Sequence, residues 1–506
     1  MTAITIPSFQ WWLSNDRNVG QEGAFWKSDG VEIRKNSQYV TLNRALRMSS
    51  GNNITFTSVW TREIVALAFE ARTATANSNI MNELLAFCNQ WAVGKIYDKA
   101  WMTYDLAIDE IRNFVYCNNK KYIIWKNNLF EFTNKTTVSG TLWALTTWIS
   151  KRPALDFYWD LIFWDGTQVG RYNKDWTLII YSTSIENPVI GGLDWTVYAI
   201  TRIWPNVYVW CNDWRDTNLY VWDGLSSRPI QKITYAGKPI VNVALLWAQH
   251  YWWSQKSVNS IKNVFIGESY QPTRYITSNV PNGLSSWTDN DENILWIFWT
   301  NTNAIETVND MVYLPGYGRI FGFGKYFPNQ FTSLNRDLLF DGSECTVMLA
   351  GYVVDNGSVD PVDCSNLLAI AYKDLSGNYQ VGYYDFADYN GYYTSTWYIE
   401  SLEYVSIWLV QWENQNKFIL PIELTNSACT ITVSVQRNRS WTYTPIKTIT
   451  SADYWIGYET AELKDVGNWD VIQFRFDLAT SDTNYSPKLR VGMTNQSSAV
   501  WNLARR

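Results

Sequence analysis

Short runs rich in apolar and aromatic residues cover most of the chain, with Gly, Asn, Asp and Ser punctuating them every few positions. Runs of four to six residues between turn signals predict short strands joined by tight turns. Examples are Phe114–Cys117, Tyr122–Ile124, Leu129–Phe132, Leu161–Phe163, Leu178–Tyr181, Val197–Ile200, Val207–Val209 and Asn218–Val221. The series goes on through Asn263–Ile266, Asn293–Leu295, Met311–Leu314, Arg319–Phe321 and Leu367–Ala371. Long helical patterns are nearly absent. Ser78–Phe87 has a helix-compatible composition and reads equally as the approach to a strand.

The strands fall into larger units. A phrase of apolar pair, aromatic, turn and further short strands restarts near residues 108, 155, 195, 241, 293 and 344. Four short strands in about 40–50 residues is the spacing of a β-propeller blade. The fold expected is all-β: a β-propeller of six or seven degenerate blades with an appended antiparallel β-sandwich. A chain of sandwiches is the competing reading, and the regular restarts favour the propeller. The sandwich is read from lengthening strands after about residue 394: Lys417–Leu424, Cys429–Val435, Val471–Phe476 and Lys488–Val491. In the second of these, Thr430, Thr432 and Ser434 alternate with Ile431, Val433 and Val435. The boundaries expected are therefore 1–58, an irregular leader with short strands at Val31–Arg34, Tyr39–Leu42 and Ile54–Thr57; 59–393, the propeller; and 394–506, the sandwich.

The chain has 506 residues, of which 46% are hydrophobic, enough for a large core. Its formal net charge of −6 excludes the basic footprint of a dedicated nucleic-acid binder. No apolar run approaches the roughly 20 residues of a membrane span. The longest candidate, Tyr404–Trp412, is short and carries polar residues, so no membrane insertion is expected. The N-terminus has neither the basic nor the apolar region of a secretory signal.

Tryptophan changes the picture most. There are 30 tryptophans and only 27 glycines. Asp165-Gly166-Thr167 is an ordinary turn, in which glycine accepts a positive φ without a steric cost. Asp175-Trp176-Thr177 and Asp194-Trp195-Thr196 place an indole in the same middle slot, Asp213-Trp214 repeats the dipeptide, and Ser440-Trp441-Thr442 reads as a hairpin tip. Trp11-Trp12 and Trp252-Trp253 are adjacent pairs. These positions suit glycine, and some lineages and their viruses read UGA as glycine. If about 25 of the 30 were glycine, glycine would rise to about 52 residues, a comfortable level for a turn-rich β protein. Trp222 in Val-Trp-Asp-Gly224 and Trp469 read as genuine, because glycine already stands beside them. The alternative is a truly Trp-rich protein carrying aromatic platforms for sugars.

Candidate chemistry is sparse. The single histidine, His250, nearly excludes a multi-histidine metal site and is the one imidazole a Ser-His-Asp triad could use. A lone histidine is more often structural. Cys88, Cys117, Cys211, Cys345, Cys364 and Cys429 form no C-x-x-C pair and read as buried thiols. Gly316-Tyr-Gly-Arg-Ile-Phe-Gly-Phe-Gly-Lys325 lacks the P-loop and dinucleotide spacings, so its glycines read as close strand approach. The acidic loops Asp289–Glu292 and Asp355–Asp360 lack EF-hand spacing and read as solvated turns, with loose calcium binding as the alternative. With 47 acids, the sequence nominates no carboxylate pair for glycoside hydrolysis, and no sialidase-type S-x-D-x-G-x-T-W box is present. Tyr383, Tyr384, Tyr389, Tyr392 and Tyr393 cluster near the propeller–sandwich boundary, suiting an interface or core packing equally. No catalytic, cofactor-binding or metal residue is nominated, no cofactor is expected, and the chain reads as a non-enzyme.

With tryptophan read as glycine, the opening becomes Phe9-Gln-Gly-Gly-Leu-Ser-Asn-Asp16, followed by Gly23-Ala-Phe25 and Asp29-Gly-Val-Glu-Ile-Arg34. That style resembles the start of virion structural proteins of tailed bacteriophages. The propeller-plus-β organisation is similar to tail nozzle proteins, including packaged-DNA stabilisation proteins. The motifs that carry this resemblance are confined to about the first 35 residues. It implies a homo-oligomeric ring in the virion tail that contacts portal adaptor and tail fibres, passively touches packaged DNA, and passes through the host cytoplasm during assembly. Two alternatives stand beside it: a carbohydrate- or receptor-binding propeller, and a propeller glycosidase with a carboxylate pair in its central funnel.

Overall fold

The computed structural model describes strand residues between Ile4 and Arg490 with some of the turns that join them. Its longest continuous runs are 196–212, 418–463 and 471–490; among the stretches outside it are 49–63, 70–83, 173–195, 276–305, 406–417 and 491–506. The expected strands Ile54–Thr57, Leu178–Tyr181, Asn263–Ile266 and Asn293–Leu295 lie outside the described residues.

Among the described residues, seven antiparallel meanders follow one another in chain order. Blade 1 is Ile64–Phe69, Leu84–Gln90, Val93–Tyr97 and Thr103–Asp105. Blade 2 runs from Ile111–Cys117 through Lys120–Trp125 to Asn128–Asn134, with two short outer strands. The described part of blade 3 is Ala154–Phe157, Asp160–Trp164 and Val169–Tyr172. Blade 4 is Thr196–Ile203, Asn206–Asn212, Thr217–Trp222 and Gln231–Tyr235; blade 5 is Ile240–Leu246, Gln249–Ser254, Ser257–Lys262 and Thr273–Tyr275. Blade 6 is Glu306–Val308, Met311–Gly316, Arg319–Gly324 and Phe331–Arg336. Blade 7 is Phe340–Ala350, Leu367–Asp374 and Tyr379–Asp385, and its fourth strand is Arg47–Met48, from the other end of the chain.

The first strand of each blade lies beside the first strand of the next, and Phe340–Ala350 of blade 7 returns to Ile64–Phe69 of blade 1. Among the described residues the ring is closed and has seven blades. Five of the six restarts read from the sequence fall within four residues of an innermost strand, while the one near 293 precedes the innermost strand of blade 6 at Glu306. Ser78–Phe87 resolves in its described part to the strand Leu84–Gln90.

Alternation becomes packing at the seams. Between blades 1 and 2, Ala66, Ala68, Leu85 and Phe87 meet Ile111, Ile123 and Phe132. Between blades 3 and 4, Phe157, Ile162 and Trp164 meet Val197, Val207, Val209 and Trp222. Burying the inner face of each blade against its neighbour is what makes a thin four-stranded sheet stable.

Among the described residues the sandwich has two six-stranded sheets. One orders Ile4–Thr5, Phe418–Leu424, Lys488–Arg490, Tyr39–Leu42 and Val31–Ile33, with Gly457–Leu463 also paired to Phe418–Leu424. The other orders Trp12–Leu13, Ala24–Asp29, Thr396–Val405, Val471–Thr480, Cys429–Arg437 and Thr444–Ile449. Ile399, Leu420, Ile422, Ile431, Val433, Phe474, Phe476 and Leu489 fill the space between them. Val40 and Leu42 belong to the same core. The leader read as a separate segment thus supplies five sandwich strands and one blade strand. Lys488–Arg490 pairs with Tyr39–Thr41, and the amide of Leu42 donates to Ser486 Oγ at 2.8 Å. These partners lie more than 400 residues apart in the chain, beyond the reach of any local pattern.

Candidate functional site

The ring of innermost strands and the seams between blades gather the polar side chains with most chemical interest. Asp156, on the innermost strand of blade 3, ties three blades together. Cys117 of blade 2 donates its thiol to Asp156 Oδ1 at 3.1 Å. Arg202 of blade 4 donates to the Asp156 carbonyl at 2.7 Å and faces its carboxylate at 3.6 Å. The carboxylate is therefore occupied by a donor on each side.

A second tie crosses the seam between blades 3 and 4. Arg171 is paired with the buried Asp160 and donates through Nη1 to the Gly224 carbonyl at 2.8 Å. Gly224 has φ 74°, and a Cβ there would sit 2.4 Å from Phe157 Cε1. Asp223 stabilises this turn by accepting the amide and the hydroxyl of Ser226 at 2.8 and 2.9 Å. Glycine is required here twice, by the left-handed backbone and by the phenyl ring against it. Replacing Gly224→Ala is expected to destabilise the protein by about 2–4 kcal/mol, read as a lower urea midpoint.

The third seam, between blades 4 and 5, holds His250. It lies on Gln249–Ser254, is fully buried, and packs edge-on against Tyr208 and Trp210 with centroids 4.7 and 5.3 Å away. Its Nε2 meets Thr201 Oγ1 at 2.8 Å, and the same oxygen accepts the Trp210 indole N–H at 3.1 Å. Among the described residues, Nδ1 has no hydrogen-bond partner. Burial pushes the imidazole down to about 3, so it stays neutral at ordinary pH. The ring is enclosed by protein and packs between Tyr208 and Trp210 at the seam.

Sequence reasoning missed Glu306. It sits half-buried on the innermost strand of blade 6 at the seam with blade 7. Burial pushes its carboxyl up to about 7, although the Thr307 and Ala350 amides favour the charged form. The available signal was an acid set between Ile305 and Val308 at the start of a blade. The described innermost strands also carry Asp156, Asp341 and Glu344, so the central acids are spread over blades 3, 6 and 7.

In the sandwich, Arg475 lies over the Tyr398 ring at 3.9 Å, donates to Asp477 at 2.8 and 2.9 Å, and faces Glu400 at 3.8 Å. Burial works against its charge, but Asp477, Glu400 and Tyr398 outweigh that and raise its pKa. At the boundary with the propeller, buried Arg44 stacks on the Tyr393 ring at 4.4 Å and bridges it through the backbone. Tyr393 in turn donates its amide to Thr483 at 2.7 Å.

The remaining candidates resolve simply. Within the glycine-rich tract, Gly316 pairs with Arg319, Gly322 with Tyr313 and Gly324 with Met311, so these three glycines sit in a blade hairpin. Tyr383 and Tyr384 are buried in blade 7, while Tyr389 and Tyr392 lie outside the described residues. Both acidic loops also lie outside them. Cys117, Cys211 and Cys429 are buried. Among the described residues, no group of three His, Cys, Asp or Glu could hold a metal ion.

No family model matches the chain. No curated protein matches it either. Among solved structures, it is similar to a chain of the mitotic checkpoint complex at 10% identity, over 72% of this chain and 99% of that one, with a TM-score of 0.39. It is similar to a chain in the structure of BBS1N in complex with ARL6DN at 11% identity, over 65% and 97%, with a TM-score of 0.38. A third similarity is to the N-terminal domain of Nup159 at 10% identity, over 70% and 98%, with a TM-score of 0.34.

Proposed function

We propose that this protein is a non-enzymatic virion structural protein of a tailed bacteriophage, a tail nozzle or hub component that forms a homo-oligomeric ring. One observation carries most weight: a single N-terminal segment closes the last blade and also builds both sheets of the sandwich. The two modules are thereby braced by shared chain, which resists the shear that a tail part bears. The Arg44–Tyr393 contact adds a stacked cation at their boundary. A net charge of −6 repels the DNA backbone and suits a conduit wall over which DNA slides. In this reading the ring contacts portal adaptor and tail fibres and needs no cofactor.

The test is to fractionate the phage particles and the host cells and to weigh the purified protein by light scattering. The expected result is a ring-sized oligomer, with the protein enriched in particles. A monomer found only in cell fractions would refute the proposal.

A further inference from the structure

Thirteen of the thirty tryptophans lie on described residues, and ten of those thirteen are in strands. Trp164, Trp210 and Trp222 are buried in blade seams. Trp210 donates its indole N–H to Thr201, and Trp222 donates its own to the Ser226 carbonyl at 2.7 Å. Glycine at any of the three would empty a space the size of an indole. Trp252 and Trp253 are also in a strand, whereas Trp176, Trp195 and Trp214 lie outside the described residues.

Trp441 and Trp455 differ in kind. They are 93% and 83% exposed, and both sit in connections between sandwich strands. Among the described residues, no hydrogen bond or ring contact holds either indole. Trp204, the third tryptophan in a turn, lies on Phe157 at 5.8 Å. Backbone strain is not the distinguishing mark. The left-handed residues of the 437–440 turn are Asn438 (φ 49°) and Arg439 (φ 57°), and the Ser440 amide closes it on the Arg437 carbonyl at 2.9 Å. Trp441 follows this hairpin tip instead of occupying it. The mark is solvent: these two indoles bury almost nothing, while their chain sites need only a small, polar-compatible residue.

We propose that Trp441 and Trp455 are encoded by UGA and are inserted as glycine by the protein's own translation system, whereas Trp164, Trp210 and Trp222 are tryptophans encoded by UGG. The connections then read Ser-Gly-Thr at 440–442 and Tyr-Gly-Ile-Gly at 454–457. The sandwich end loses its exposed rings, and the seams keep theirs. This divides the tryptophans by environment.

The gene and the native protein test this directly. The codons should be UGA at 441 and 455 and UGG at 164, 210 and 222, and peptide masses from protein made by its own host should show glycine at the first two and tryptophan at the other three. UGG or tryptophan at 441 or 455 overturns the proposal, and so does glycine at any buried position. A recombinant series gives a second readout. Trp441→Gly and Trp455→Gly should each leave the melting temperature within about 2 °C, while Trp210→Gly and Trp222→Gly should each lower it by about 5 °C or more. A comparable loss at the exposed positions would also overturn the assignment.

Discussion

Deleting residues 1–48 is expected to abolish cooperative folding of both modules. The segment supplies five of the twelve described sandwich strands and the outer strand of blade 7. Without it, Thr396–Val405 loses its pairing to Ala24–Asp29, and Lys488–Arg490 loses its pairing to Tyr39–Thr41. The core loses Val40 and Leu42, both fully buried. A single large-to-small change in such a core costs about 2–5 kcal/mol, against a total stability of about 5–15 kcal/mol. Removing two core side chains along with the backbone bonds of six strands exceeds that reserve. The freed strand edges then become templates for aggregation. The expected outcome is insoluble protein, or a soluble chain with no sharp thermal transition by circular dichroism. A 49–506 chain that melts like the full protein would show that the N-terminal strands brace nothing. Leu42→Ala in the full chain gives a graded check, with an expected loss of about 2–4 kcal/mol in urea denaturation.

Sequence reading succeeded where the determinant is local. The blade repeat was legible because each meander is built from strands adjacent in the chain, with short apolar runs such as Val207–Trp210 and turns such as Asp223-Gly224 between them. The long sandwich strand Cys429–Arg437 was legible for the same reason. The destinations of Tyr39–Leu42 and Arg47–Met48 were not, because their partners, Lys488–Arg490 and Gly382–Tyr383, carry no complementary local signal and a two-residue strand has almost no pattern. The candidate site divided the same way. A lone histidine gave a sound expectation for His250. Glu306 went unnominated, because one acid among 47 becomes unusual only when a seam desolvates it. The turn argument for Trp441 identified the right hairpin but the wrong residue, since Asn438 and Arg439 take the positive φ.

Acid should loosen the seam between blades 4 and 5, and His250 should account for a measurable share of the loss. Its pKa in the folded protein is about 3, against an ordinary value of 6.5. Between those values the unfolded chain binds a proton that the folded one refuses, so stability falls as pH falls through that window. Above pH 6.5 this contribution is intact. At pH 4 the lost part amounts to roughly 3 kcal/mol, because each pKa unit corresponds to about 1.4 kcal/mol. His250→Phe keeps a flat ring against Tyr208 and Trp210, removes the unpartnered Nδ1, and leaves Thr201 to accept the Trp210 indole N–H. The variant should therefore stay within about 1.5 kcal/mol of the parent at pH 7. Moving both proteins from pH 7 to pH 4 should then cost the parent about 3 kcal/mol more than the variant, read as a larger drop in urea midpoint. Glu306 has the opposite sign: raised to about 7 from 4.5, its carboxyl binds a proton in the folded state that the unfolded chain releases, so it favours folding as pH falls. That term and those of the other carboxylates are common to both proteins and cancel in the comparison. Equal losses in the two proteins would mean that the imidazole is protonated within the fold, and that solvent reaches the seam that His250 closes.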